Sequence, residues 1–287
     1  MVKQNLLQLI NERMSTFSKG QRLIAQYILE RYDRAAYMTA AKLGTIVNVS
    51  ESTVVRFADE LGFGGYPELQ RALQELAKTQ LTAAQRMEVA DNLLGRDNIL
   101  DKVLLGDADK IRHTLESLDR EAFDNAIEKI ATARNIYILG SRSSATLAGF
   151  LNFNFRMMFD NVRFVEASSG GEVFEHILDI GAEDVLIAIS FPRYSKRTIR
   201  AVEYAHRAGA NVVALTDSKK SPIAADCDQL LIAQSDMASF VDSLVAPLSI
   251  INAMVAAVSM RDHNEVATRL RRLEEIWDEY DIYDKNN

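Results

Sequence analysis

Residues 135–144 read Asn135-Ile136-Tyr137-Ile138-Leu139-Gly140-Ser141-Arg142-Ser143-Ser144. A short apolar run stops at a glycine, and hydroxyls follow before a helical pattern begins. An apolar run without polar alternation is a strand buried on both faces, as in a parallel sheet covered by helices. The pattern recurs downstream. Val162 to Val165, Val185 to Ile189, Val212 to Leu215 and Leu230 to Ile232 are further apolar runs. Helical stretches at Ala145 to Phe159, Gly171 to Ile180 and Lys196 to Ala208 separate them, the last stopped by Gly209. Strands alternating with helices predict an α/β, doubly wound parallel sheet.

Ligands of such sheets bind outside the carboxyl ends of the strands. Gly140 to Ser144 follow the first strand. Ser190-Phe191-Pro192-Arg193-Tyr194-Ser195-Lys196-Arg197-Thr198 follow the third, and Thr216, Asp217 and Ser218 the fourth. Hydroxyls and free amides at helix starts favour an anion, and Arg142, Arg193 and Lys196 add positive charge to this rim. Phosphate is the expected guest, with helix capping the competing use for each serine. Gly140 is not part of G-x-G-x-x-G, and no Gly-Lys-Ser/Thr loop occurs, so the nucleotide fingerprints are missing.

The N-terminal part is different in kind. Residues 5–79 read as all helix. Ser18 and Gln21 form a capping-box pattern ahead of a helix to about Tyr32. Thr39 caps a short helix to Ile46, and Val47, Asn48 and Val49 form a turn. Ser50 caps a third helix ending near Leu61, with Gly62 suited to a left-handed stop. On that third helix Val54, Ala58 and Leu61 should face a core, while Ser52, Thr53 and Arg56 share another face. A short helix, a tight turn and a helix opening with hydroxyls and an arginine is the helix-turn-helix pattern, whose second helix reads the major groove. The candidate DNA contacts are Ser50, Glu51, Ser52, Thr53 and Arg56.

Charge distribution permits this. The 287-residue chain has net charge −7, yet residues 1–80 carry 10 basic and 8 acidic residues; the acidic excess lies entirely beyond them. A mildly basic small domain beside an acidic larger one is compatible with DNA binding by the first. One cysteine, Cys227, excludes an internal disulfide and a multi-cysteine zinc site, and suits a reducing compartment. The N-terminus does not read as a signal peptide. The most apolar stretch, Leu244 to Met260, contains Pro247 and Asn252 and is shorter than a membrane span. A cytoplasmic protein with no membrane association, metal or cofactor is expected.

Val49-Ser50-Glu51-Ser52-Thr53-Val54-Val55-Arg56-Phe57, followed by Leu61-Gly62-Phe63 and Gly65-Tyr66, closely resembles the N-terminal domain of the RpiR family of bacterial transcription regulators. Residues 123–263 resemble the sugar isomerase (SIS) domain, which implies a flavodoxin-like strand order and binding of phosphorylated sugars. Ser144 matches the serine of that domain's first loop. Ser190 matches the first serine of its Ser-x-Ser-Gly-x-Thr loop, and Ser195 and Thr198 keep the serine-to-threonine spacing. Pro192, Arg193 and Tyr194 look like an insertion and Lys196 replaces the glycine, so phosphate binding carries over more readily than the sugar. Ser141, Ser143, Ser144, Ser190, Arg193, Ser195 and Thr198 are the expected effector residues.

The expected domains are a helix-turn-helix domain at 1–77, a helical connector at 78–122, a SIS-like effector domain at 123–263 and a C-terminal helix at 264–287. The connector reads as helix broken near Gly95 and again near Gly106. Glu172 and His176, four residues apart, are the best acid/base pair for the alternative, a sugar-phosphate isomerase with a helical accessory domain. The preferred expectation is a non-enzymatic regulator of sugar metabolism, controlled by a small anionic effector, on double-stranded DNA. Such a protein should be a homodimer or homotetramer on an inverted-repeat operator. An apolar helix from Phe240 to Met260 and an amphipathic one from Glu265 to Tyr280 are candidate dimer surfaces.

Overall fold

The computed structural model describes residues 6–95, 97–166, 171–237, 239–261 and 263–283. The chain divides into two compact units: residues 1–103 with 236–242, and residues 104–235 with 243–287.

The first unit is helical: α1 (Leu6–Glu12), α2 (Lys19–Ala35), α3 (Ala40–Val47), α4 (Glu51–Glu60), α5 (Tyr66–Gln80), α6 (Ala83–Leu94) and the start of α7 (Ile99–Ser117). Its starts are capped as the sequence predicts. Ser18 and Gln21 close a reciprocal capping box, and the Thr39 and Ser50 side chains accept from Lys42 and Thr53 amides. Asn48, left-handed at φ 56°, ends α3, and Gly62 has φ +90°. Gly44 is fixed by close approach, because a Cβ there would stand 2.8 Å from the Val49 carbonyl oxygen. The core gathers Ile24, Ile28, Leu43, Val54, Leu69 and Leu73, with the Phe17 and Phe57 rings 5.1 Å apart. The Tyr66 hydroxyl donates to the Met38 carbonyl at 2.8 Å, and burial pushes its pKa up to about 12. Residues 236–242 complete this unit. Met237 packs on its core, and buried Arg86 pairs with Asp242 at 3.0 Å.

The second unit contains the rest of α7, then α8 (Arg120–Thr132), β1 (Ile136–Gly140), α9 (Ser143–Met158), β2 (Val162–Phe164), α10 (Glu172–His176), β3 (Val185–Ile189), α11 (Lys196–Arg207), β4 (Asn211–Thr216), β5 (Gln229–Ile232), α12 (Val245–Arg261) and α13 (His263–Glu279). The sheet is parallel throughout, in the order β2-β1-β3-β4-β5, which is flavodoxin-like. β1, β3 and β4 are buried on both faces, which is why their sequences show no alternation. Ile136, Ile138, Ile187 and Val213 face a layer that includes Leu151, Phe155, Ile251 and Met254, from α9 and α12. Tyr137, Leu139, Leu186 and Val212 face the opposite layer, with Val173, Ala201 and Val202 from α10 and α11. At the amino end of the sheet, Asp184 accepts from Arg134 at 2.6 Å, Asn135 at 2.9 Å and the Gly181 amide at 2.9 Å.

Three sequence expectations are corrected. Gly95 ends α6, but α7 runs through Gly106 without a break. There a Cβ would meet only the end of the Lys110 side chain, so the helix gains nothing by stopping. Phe240 to Leu244 are not helical, and Met237 and Asp242 form an isolated antiparallel bridge, so α12 starts only at Val245. The helix expected over Gly171 to Ile180 is only Glu172–His176. Among the described residues no single helix is long and apolar enough to cross a membrane.

Candidate functional site

Two regions carry the chemistry, one in each unit. In the first, α3, a left-handed turn and α4 present one helix start. The Ser50 hydroxyl lies 2.9 Å from that of Ser52 and 2.8 Å from that of Thr53, and accepts from the Thr53 amide at 3.2 Å. Val54, Phe57 and Ala58 are buried, which fixes the rotation of α4. Glu51, Ser52 and Arg56 are therefore exposed, with the Arg56 Nε–H donating to the Ser52 carbonyl at 3.2 Å. Thr53 is half-buried, and its methyl would lie 3.3 Å from a Cβ on Gly20, so it also spaces α4 from α2. Val55, 36% exposed, adds an apolar side chain near Ser52 that the sequence reading did not single out. Its signal was its position three residues after Ser52.

The second region is a cavity of ≈ 630 Å³ at the carboxyl ends of β1 and β2. Ser141, Arg142, Glu166, Ser195 and Arg197 supply its polar lining. The Ser141 and Thr198 hydroxyls are 3.0 Å apart, joining the two strand-to-helix loops. A Cβ on Gly140 would stand 2.4 Å from the Ser144 carbonyl oxygen, so only glycine lets α9 start this close to β1. Neither α9 nor α11 has a side-chain cap, although Ser195 occupies the cap position of α11. Two helix starts with amides not engaged by a side-chain cap thus border one cavity, an arrangement that favours an anion.

The seven effector residues expected from sequence separate here. Ser141 and Ser195 line the cavity, and buried Thr198 supports Ser141. Ser144 and Ser190 are buried, while Ser143 is exposed. Arg193, at φ +64°, is exposed and not among the lining residues. The next residue, Tyr194, donates its hydroxyl to Asp217 at 2.7 Å. Arg142 was read as rim charge, whereas Arg197 was not singled out; both line the cavity. His176 lines a different cavity, with Arg134, Tyr137 and Arg163.

Comparison with known proteins agrees with this division. The model of the helix-turn-helix domain, rpiR family, matches residues 4–80, and that of the SIS domain matches residues 129–257. The HTH-type transcriptional regulator HexR of Pseudomonas aeruginosa is 27% identical over 282 residues, 95% of each chain. Among solved structures, the Vibrio vulnificus NanR protein complexed with ManNAc-6P has a TM-score of 0.59 at 22% identity, over 95% of this chain and 98% of that one. The sugar isomerase domain of an RpiR transcription factor from Sphaerobacter thermophilus has a TM-score of 0.57 at 26% identity, covering 61% of this chain and 97% of that one. An rpiR-type helix-turn-helix domain followed by a SIS domain, matched in that order along one chain, places this protein in the RpiR family of transcription regulators.

Proposed function

We propose that the chain is a DNA-binding regulator of sugar metabolism that answers to a phosphorylated sugar bound in the cavity at the ends of β1 and β2. The observation that carries this reading is the pair of uncapped helix starts, α9 and α11, bordering one cavity with Ser141, Ser195, Arg142 and Arg197. Amides, hydroxyls and guanidinium groups are the donors a phosphate takes, and charge-assisted bonds are the stronger ones. The solved relative NanR holds a sugar phosphate, ManNAc-6P. Glu166 is placed to accept from sugar hydroxyls.

On the DNA side α4 enters the major groove, with Ser50, Glu51, Ser52 and Arg56 at base edges or phosphates and Val55 against a thymine methyl. Thr53 contributes through the helix start. One small helix-turn-helix binds weakly, so two act together in a homodimer on an inverted repeat. The protein acts in the cytoplasm and not as an isomerase. His176, the best candidate base from sequence, does not line the effector cavity.

A gel shift with the region upstream of the protein's own operon, titrated with aldose and ketose phosphates, tests the reading. Specific retardation that one sugar phosphate alters at micromolar concentration is expected. Turnover of those phosphates without DNA binding would overturn it in favour of the isomerase.

A further inference from the structure

α7 carries apolar side chains that nothing among the described residues covers. Leu100 is 70% exposed, Leu104 59%, Ile111 38% and Leu115 58%, and Ala108 between them is exposed as well. The intervals are four, four, three and four residues, which keeps all five within an arc of about 80°. Leu105, 67% exposed, lies about 60° outside this arc, beyond Asp101 and Arg112, and widens the apolar stripe on that flank. The five in-line side chains form the row that a second helix can meet. The helix already has its docking side. Thr114 is buried and its hydroxyl accepts from the Gln234 amide at 3.0 Å, and Asp107 accepts from the Ser243 hydroxyl at 2.6 Å.

We propose that this seam pairs antiparallel with the same seam of a second copy of the chain. The register follows from the residues. With a two-fold axis at Ala108, Leu100 meets the partner's Leu115 and Leu104 meets the partner's Ile111. Ala108 crosses the partner's Ala108, where small side chains let the backbones approach. Asp101 and Arg112 lie on one flank of the seam, and in antiparallel pairs like flanks face each other. Asp101 therefore faces the partner's Arg112, and symmetry makes the contact twice. Arg112 currently holds Asp109 at 2.7 Å on an exposed surface, an exchange that costs little. The inference rests on the reading of the regulator as a homodimer and assigns that dimer a surface.

Single cysteines test it in the full chain with Cys227→Ser. Ala108→Cys should link two chains under mild oxidation, because symmetry brings the two sulfurs together. His113→Cys, exposed on the opposite side of α7, should not. Sedimentation supplies the second measurement. Asp101→Arg should raise the dimer dissociation constant about tenfold, and adding Arg112→Asp should restore it. A dimer in sedimentation whose Ala108→Cys variant does not cross-link overturns this surface and leaves the dimer standing. Equal cross-linking of both cysteine variants overturns it too. A monomer at micromolar concentration, with and without DNA, overturns the surface and the dimer together.

Discussion

At Arg142 the backbone adopts φ +57°, a region that side-chain-bearing residues rarely occupy. Such strain persists where the surroundings or a function require it. Here the residue lines the cavity at the carboxyl ends of β1 and β2, at the start of α9. Arg142→Gly should therefore relieve strain while removing a charged donor. Its thermal stability should match wild type or rise by up to about 1 kcal/mol. Its affinity for the sugar phosphate should fall roughly tenfold to hundredfold, from about 1.5–3 kcal/mol for a charged hydrogen bond. Calorimetry and melting read the two effects separately, and unchanged effector affinity would remove Arg142 from the site. On the DNA side, Arg56→Ala should cost about 1–3 kcal/mol of operator affinity with the fold intact, because the side chain is exposed. Gel shifts with operator and scrambled DNA separate lost base reading, which narrows the gap between them, from a lost phosphate contact, which does not. The residues differ in how readily the sequence places them beside this cavity. Ser141 and Ser195 stand where an apolar run meets a helix, so order along the chain was enough. Arg197 needed the rotation of α11. Arg193 does not line the cavity and is exposed; the next residue, Tyr194, bonds Asp217, 23 residues away in sequence, a contact that order along the chain does not indicate.

At the scale of elements, two glycines make opposite predictions. Gly44 lies where α3 meets the turn before α4, and an added Cβ would press on backbone at Val49. Backbone cannot swing aside as a flexible side chain can, so Gly44→Ala should destabilise the first unit by about 1–3 kcal/mol. It should weaken DNA binding with it, since the turn aims α4. Gly106 lies inside α7 and faces only the end of Lys110 at 3.6 Å. Gly106→Ala should stabilise that helix by about 0.5–1 kcal/mol. Urea denaturation of both variants checks the signs; a stabilised Gly44→Ala or a destabilised Gly106→Ala would contradict the packing described. The caps at Ser18, Thr39 and Ser50, the left-handed Gly62 and all five strands followed from local chemistry, and the structure keeps them. The break expected at Gly106 did not, because a glycine's preference is small beside the other bonds of a 19-residue helix.

For the molecule as a whole, acid is the informative variable. Asp184 is fully buried by accessible area, and burial alone would raise its pKa. Hydrogen bonds from Arg134, Asn135 and the Gly181 amide outweigh that and hold it below the ordinary carboxyl value. The folded state thus binds this proton less readily than the unfolded chain. The stabilisation is present above the unfolded value of about 3.9, and is lost as pH falls through the lower folded value. Asp184→Asn should lower the melting temperature at neutral pH and flatten its decline below pH ~4. A variant that melts in acid with the wild-type slope would show that the pair does not carry this dependence. The sequence indicated none of this, since Arg134 and Asp184 are 50 residues apart and adjoin different strands.

The assignment of residues 236–242 to the first unit bears on how such regulators can be taken apart and recombined. Arg86 is 3% exposed in its side chain, and its carboxylate partner Asp242 is supplied from 156 positions later in the chain. A gene fragment ending at residue 103 would encode a DNA-binding unit lacking a piece of its own interior, with a buried guanidinium stripped of that carboxylate. Breaking a buried pair in this way costs about 3–5 kcal/mol, a large share of what a small domain has. Swapping residues 1–103 between regulators to exchange operators would meet the same obstacle. Chimeras that carry 236–242 along with their own first unit should remain folded where simple end-to-end fusions aggregate. Inheritance would then hold the two distant stretches together, because neither can be traded without the other.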